Sequence, residues 1–383
     1  MSKIKQRDWS VELMRIIACV IVIGCHTVPQ PISVNGGGGF SYSRVFLQCL
    51  FGDGVAIFWV ITGFFLFINF DYAQRLKRTA FRIVLPTAVY SVFVFYLYEA
   101  FVHQVPLLDS LSRSENDYIA LFRNAISLNV IPPHSGHLWY VVAYILLVII
   151  SPLFCAFAQK AAANRHIAGK YLLFLFAFLL LNDLSSGKAL GFSHHGAGAL
   201  SAAAVFVLYG NVLYQNRSSL TSNIWVIAAP VLFIICNLVR MKIQIHAYAI
   251  APKNNHIIFW YTTFGIINAT LIAAFCFSLS KIHFHRLARI SAIIGSYTFA
   301  IYVIHIPVRD MLRSRGIFNT LMTEIIGQHS SGNMLTNTAY HCSAIFIVFF
   351  ASLSLCVIFR ILKCLLLAFA EKINDLHLTA APR

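Results

Sequence analysis

The chain has 383 residues, of which 59% are hydrophobic and 11% charged, with 33 Phe and a mean hydropathy of +0.74. That composition excludes a soluble domain, a disordered chain and a disulfide scaffold, and its long apolar runs exclude the alternating strands of an outer-membrane barrel. The net charge of +16 does not indicate nucleic acid, because the cations follow topology: assigning each of the 29 Lys and Arg to a predicted loop or flank puts 18 on one side of the membrane, 10 on the other and Arg15 inside a helix.

In chain order, spanning runs are predicted over Ser10 to Val28, Phe46 to Phe70, Ala80 to Val102, Leu138 to Ala158, Lys170 to Asn182, Ala197 to Tyr214, Ile224 to Val239, Ile257 to Leu279, Ile290 to Leu312 and Tyr340 to Ala370. The expectation is an all-α, polytopic membrane protein of about ten transmembrane helices, forming one membrane-embedded domain over residues 1–383. The fifth run is short for a bilayer, and the tenth is long enough to continue as an amphipathic tail. An even number of crossings puts both termini on one side. Lys3, Lys5, Arg7, the Arg75 to Arg82 cluster, the Lys160 to Lys170 loop and Lys281 to Arg289 make that side cytoplasmic.

The basic start imitates a secretory signal. Glu12 and Arg15 interrupt its apolar core and no cleavage site follows, so Met1 to Val28 is read as the first permanent helix. Pro29 to Ser43, His103 to Gly136 and Gly316 to Asn337 are outward loops. The nine cysteines show no C-x-x-C spacing and are read as small buried hydrophobes.

Charge inside an apolar helix is costly, which directs attention to Glu12 and Arg15. Three residues apart, they share a face and can form an ion pair. Eleven residues past Arg15, at about 100° per residue, His26 returns to within about 20° of that face, some 16 Å along the axis. Glu12, Arg15, Cys19, Val22 and His26 therefore make one stripe from the inner leaflet to the outer half of the membrane.

Further patterns follow. Val55-Ala-Ile-Phe-Trp-Val-Ile-Thr-Gly-Phe64 lies in the second run. His137-Leu-Trp-Tyr140, with Pro152, opens the fourth. Ser296-Tyr297 and Tyr302-Val-Ile-His305 lie in the ninth. Together with Arg15-x10-His26, these resemble, in order, the motifs of the membrane acyltransferase 3 family, with Thr62 where that family usually has Ser. The resemblance covers nearly the whole chain. It implies an enzyme of the bacterial inner membrane that moves an acyl group, usually acetyl from acetyl-CoA, onto a hydroxyl of a glycan or lipid-linked sugar.

The chemistry of the residues fits that expectation. Acyl transfer to a hydroxyl needs a base near neutral pH, and His26 is the candidate, either deprotonating the acceptor directly or first taking the acyl group itself. Arg15 would position the anionic donor, with Glu12 orienting Arg15. Arg75, Arg78 and Arg82 recur at i, i+3 and i+7 at a cytoplasmic helix end. They suit the donor's phosphates, or are ordinary positive-inside charges. No Walker or Rossmann pattern competes for those phosphates, since Gly36 to Gly39 is a loop on the other side. His137, Trp139, Tyr302 and His305 are predicted at the acceptor end, where Trp139 and Tyr302 also suit interface anchoring. Asp53 either orients an imidazole or caps the second helix. His194, His195, His283 and His285 lack metal-ligand spacing, so no metal is expected. A transporter or flippase for a glycan-related substrate is the alternative, although no repeat or paired helix break appears in the sequence.

Overall fold

A computed structural model describes residues 8–29, 41–90, 136–184, 198–250, 263–282, 284–326 and 334–379, with a few isolated positions between 94 and 109. Lys3, Lys5, Arg7, Gly36 to Gly39, most of the His103 to Gly136 loop, His194, His195 and His283 lie outside them. The described residues are helical, without a strand among them.

The helices are α1 (Trp9–Thr27), α2 (Tyr42–Phe51), α3 (Gly54–Leu66), α4 (Tyr72–Thr79) running into a π-helix (Ala80–Val84), α5 (Trp139–Ala163), α6 (Arg165–Leu184), α7 (Gly198–Gln215), α8 (Trp225–Ile250), α9 (Thr263–Leu279), α10 (His285–Gly295), α11 (Thr298–Ser314), α12 (Ile317–Ile326) and α13 (Met334–Thr379). Among the described residues, five segments are long and apolar enough to cross a membrane: Trp9–Thr27, Tyr42–Leu66, Gly136–Ala161, Trp225–His246 and Met334–Phe369. The α10 and α11 pair makes a sixth if taken as one broken span, and His166–Leu181, Ala202–Gln215 and Thr263–Leu279 are shorter apolar helices.

α1 is the central helix. Asp8 caps its start by accepting from the Ser10 amide at 3.2 Å, and Arg217 donates to the same carboxylate at 2.9 Å. From there α1 packs against α2, α3, α9, α10, α11 and α13, so Met14, Ala18, Cys19 and Ile23 have no exposed surface. α3 and α7 cross so closely that a Cβ on Gly63 would lie 2.0 Å from the Val207 carbonyl oxygen, and one on Gly210 would lie 2.1 Å from that of Val60. Only glycine permits this approach, the usual route to close packing where lipid offers helices no hydrophobic drive to associate. Leu153, Leu173, Ile227 and Leu335, on α5, α6, α8 and α13, turn outward and are exposed, as a lipid-facing surface requires. All nine cysteines are free, and Cys19, Cys49, Cys155, Cys276 and Cys356 are buried.

Three sequence expectations need correction. The ninth run is not one helix: α10 and α11 meet at Ser296 and Tyr297 with a bend of 62°. The Glu12 side chain occupies the space beside Gly295 at that break, 2.3 Å from where a Cβ would stand. The seventh run does not end at Val239. α8 continues to Ile250 and carries Arg240 inside it with no exposed surface, so this cation is not a loop charge. Arg309, assigned to the outward flank although the ninth run reaches Leu312, lies within α11.

Candidate active site

The polar stripe of α1 faces the broken pair α10 and α11. Arg15 Nη1 donates to Glu12 Oε1 at 2.7 Å, which is the ion pair their spacing predicts. Higher on the same face, the Cys19 thiol lies 3.8 Å from the Thr298 carbonyl oxygen.

Arg15 opens into a cavity of about 390 Å³ that Arg75 and Arg82 also line. Arg82 sits in the π-helix, a wider turn that often marks functional positions in helices. Arg75 has a second task. Its Nη2 donates to the Phe65 and Ile68 carbonyl oxygens, each at 2.9 Å, which ties it to the backbone at and just beyond the end of α3. Arg78 is exposed and does not line the cavity; three residues from Arg75, it is turned about 60° around the helix. The three arginines expected on one face thus divide into a cavity pair and an outlier.

The rest of the cavity wall is aromatic and hydroxylic, with Phe58, Thr62, Tyr140, Tyr144, Thr298 and Tyr302. Of these, the sequence marked Tyr302 as a site residue and carried Phe58, Thr62 and Tyr140 only as members of motifs, because an aromatic residue in a membrane helix carries no local mark of the cavity it lines. Thr62 donates to the Phe58 carbonyl at 2.9 Å and lies 3.5 Å from the Tyr140 hydroxyl.

Tyr302 joins this cavity to a cluster of imidazoles. Its hydroxyl donates to the His137 carbonyl oxygen, and its ring centroid lies 5.8 Å from that of His137 and 5.9 Å from that of His305. The His26 ring is 5.3 Å from His305 and 6.5 Å from His137, while His137 and His305 are 5.1 Å apart. Residues from α1, from the turn before α5 and from α11 therefore converge, although 279 positions separate the first from the last. His137 and His305 are buried, and each uses one nitrogen on a carbonyl: His137 Nε2 on Val303 at 2.9 Å, His305 Nδ1 on Tyr302 at 2.6 Å. Arg309 Nη1 donates to the His26 carbonyl oxygen at 2.6 Å, and its guanidinium is held by Asp310, which also accepts from Tyr98 at 2.6 Å. A cation thereby closes the C-terminal end of α1 beside His26.

Two other residues stand apart. Trp139, the first residue of α5, is half-buried against the core and does not line the cavity. Asp53 stands at the start of α3, but its side chain makes no capping bond. Its Oδ2 accepts from Arg240 at 2.8 Å and from Asn268 at 2.6 Å, so this carboxylate serves a buried network in place of the imidazole or the cap expected for it. Among the described residues no group of three His, Cys, Asp or Glu is placed to hold a metal ion.

The sequence model of the acyltransferase 3 family, an acyltransferase domain, matches residues 8–361. The chain belongs to that family. No curated protein and no solved structure matches it. As a multi-pass membrane acyltransferase of this family, the chain keeps both the cationic cavity and the imidazole cluster within the matched region.

Proposed function

We propose that this membrane acyltransferase takes an acyl group, acetyl in the first instance, from acyl-CoA on the cytoplasmic side and transfers it to a hydroxyl of a cell-envelope glycan or lipid-linked sugar in a bacterial inner membrane. The supporting observation is the continuity of the two halves of the site. A cavity lined by Arg15, Arg75 and Arg82 ends at Tyr302, and Tyr302 backs onto His137 and His305, against which the His26 ring lies. Guanidinium groups suit the phosphates of a CoA donor. The long arm of CoA carries its thioester well beyond those phosphates, toward imidazoles able to accept a proton from the attacking hydroxyl. Glu12 holds Arg15 in place, and His137, Tyr302 and His305 border the acceptor end.

Acetyl-CoA binding by detergent-purified protein tests the donor half. Arg82→Ala is expected to lower affinity about tenfold or more, since one charge-assisted contact contributes about 1.5 to 3 kcal/mol. Arg78→Ala is expected to leave affinity near wild type. Equal losses in the two variants would reduce both residues to general positive-inside charge.

The topology that this reading needs has about ten crossings and both termini cytoplasmic. In a cysteine-depleted background, a cysteine placed between residues 103 and 136 should react with an impermeant reagent in intact spheroplasts, and one between residues 160 and 170 should be protected. The reverse pattern would invert the orientation. The second reading, a transporter, draws on the bend between α10 and α11, an interruption of the kind that transporter sites use. It predicts no binding of CoA.

A further inference from the structure

The three imidazoles are not equivalent. A carbonyl oxygen only accepts, so His305 Nδ1 must carry the proton in its 2.6 Å contact with Tyr302, which leaves the lone pair on Nε2. His137 shows the same logic reversed: Nε2 donates to Val303, and Nδ1 keeps the lone pair. Both remaining nitrogens, His305 Nε2 and His137 Nδ1, are buried without a hydrogen-bond partner among the described residues. An unpaired buried polar atom is costly unless a function or a ligand uses it. Among the described residues no hydrogen bond holds the His26 ring, which is half-buried and lies nearer to His305 than to His137.

This asymmetry assigns roles. A general base works best when its second nitrogen is fixed by a carbonyl or carboxylate, because that bond sets the tautomer and the ring orientation. His305 has such a bond and His26 does not. We infer that His305 is the proton acceptor of the site, its Nε2 serving a His26 that carries the acyl group. The arrangement of Tyr302 carbonyl, His305 and His26 follows the same order as orienter, base and nucleophile in a hydrolytic triad, with an imidazole as the nucleophile.

The two half-reactions balance. In the first, a His26 nitrogen bonds to the acyl carbon as the carbon–sulfur bond breaks. The proton on the other His26 nitrogen passes to His305 Nε2 and then to the departing thiolate, giving free CoA and N-acyl-His26. In the second, the acceptor oxygen bonds to the acyl carbon as the carbon–nitrogen bond breaks. The hydroxyl proton passes to His305 Nε2 and returns to His26. An acylated His26 lacks the lone pair that would make it the base in this second step, so a neighbouring imidazole has to supply it.

The inference rests on the acyltransferase reading above but needs no knowledge of the acceptor. Acetyl-CoA and labelled CoA are incubated with purified protein, and label entering acetyl-CoA is measured alongside acetyl-CoA binding. Wild type should exchange, and His26→Ala should bind without exchanging. His305→Asn retains a donor for the Tyr302 carbonyl but has no base, and should bind with exchange lowered about 10² or more. His305→Ala should be partly rescued by free imidazoles, with rates that rise with their basicity, which mere filling of the vacated space would not produce. Wild-type exchange in His305→Asn, rescue indifferent to basicity, or wild-type protein that binds acetyl-CoA without exchanging would each overturn the inference. Wild-type protein that does not bind acetyl-CoA would instead overturn the donor reading, and this inference with it.

Discussion

His26→Ala protein is expected to fold, to bind acetyl-CoA at near wild-type affinity and to transfer no measurable acyl group. Loss of a general base costs roughly 10² to 10⁴ in rate, and loss of a covalent carrier costs more. The retained binding follows from distance along α1: Arg15 and His26 are eleven residues and about 16 Å apart, so the cations that line the cavity are untouched. Retained folding follows from what holds this position. Arg309 bonds to the His26 backbone carbonyl, which alanine keeps, and no hydrogen bond among the described residues depends on the ring. Transfer of labelled acetyl from acetyl-CoA to envelope glycan, measured in membranes that hold the variant, is the check. A folded His26→Ala protein that acylates at the wild-type rate would remove the imidazole from the mechanism and bring the transporter reading forward.

The part of this site that was legible in the sequence is the part written on one helix. Arg15 and His26 share a face by spacing alone, and Glu12 lies one turn from Arg15, so the stripe could be drawn before any packing was known. His137, Tyr302 and His305 could be marked as unusual residues, but their convergence depends on how α1, α5 and α11 pack. The break at Ser296 and Tyr297 left only a weak mark, a Gly295-Ser296 pair inside a run that stays apolar on both sides. What the sequence does not report is that the Glu12 side chain fills the space beside Gly295 at this break. The π-helix at Ala80–Val84 is equally silent in sequence, yet it carries Arg82 at the cavity. Arg240 was misplaced for a simpler reason: the apolar run before it is long enough to be read as a complete crossing, so a charge at its end looks like a flank. Its partner lies 187 positions away, and no periodicity reports a contact of that range.

Arg240→Met is expected to be strongly destabilising. Arg240 and Asp53 are 2.8 Å apart with 0% and 1% of their side chains exposed, so neither charge can turn to water. Removing one partner of such a pair costs about 3 to 5 kcal/mol, because the other is left charged in a low-dielectric interior. Asn268 still donates to Asp53 Oδ2 at 2.6 Å, which softens the loss but supplies no charge. Adding Asp53→Asn to Arg240→Met removes the stranded carboxylate and should recover much of the stability, since a buried ion pair replaced as a unit often costs little. Thermal unfolding in detergent would show the single variant well below wild type and the double variant between them. A double variant no more stable than Arg240→Met would mean that the carboxylate was not the source of the loss. The pair also binds α8 to the junction of α2 and α3: Arg240 Nη1 donates to the Cys49 carbonyl at 3.1 Å as well as to Asp53. Apolar side chains in lipid specify register weakly, whereas a buried charge accepts only the geometry that satisfies it. The double variant should therefore regain more of its thermal stability than of its transfer rate if the register of α3, which carries Phe58 and Thr62 to the cavity, depends on this contact.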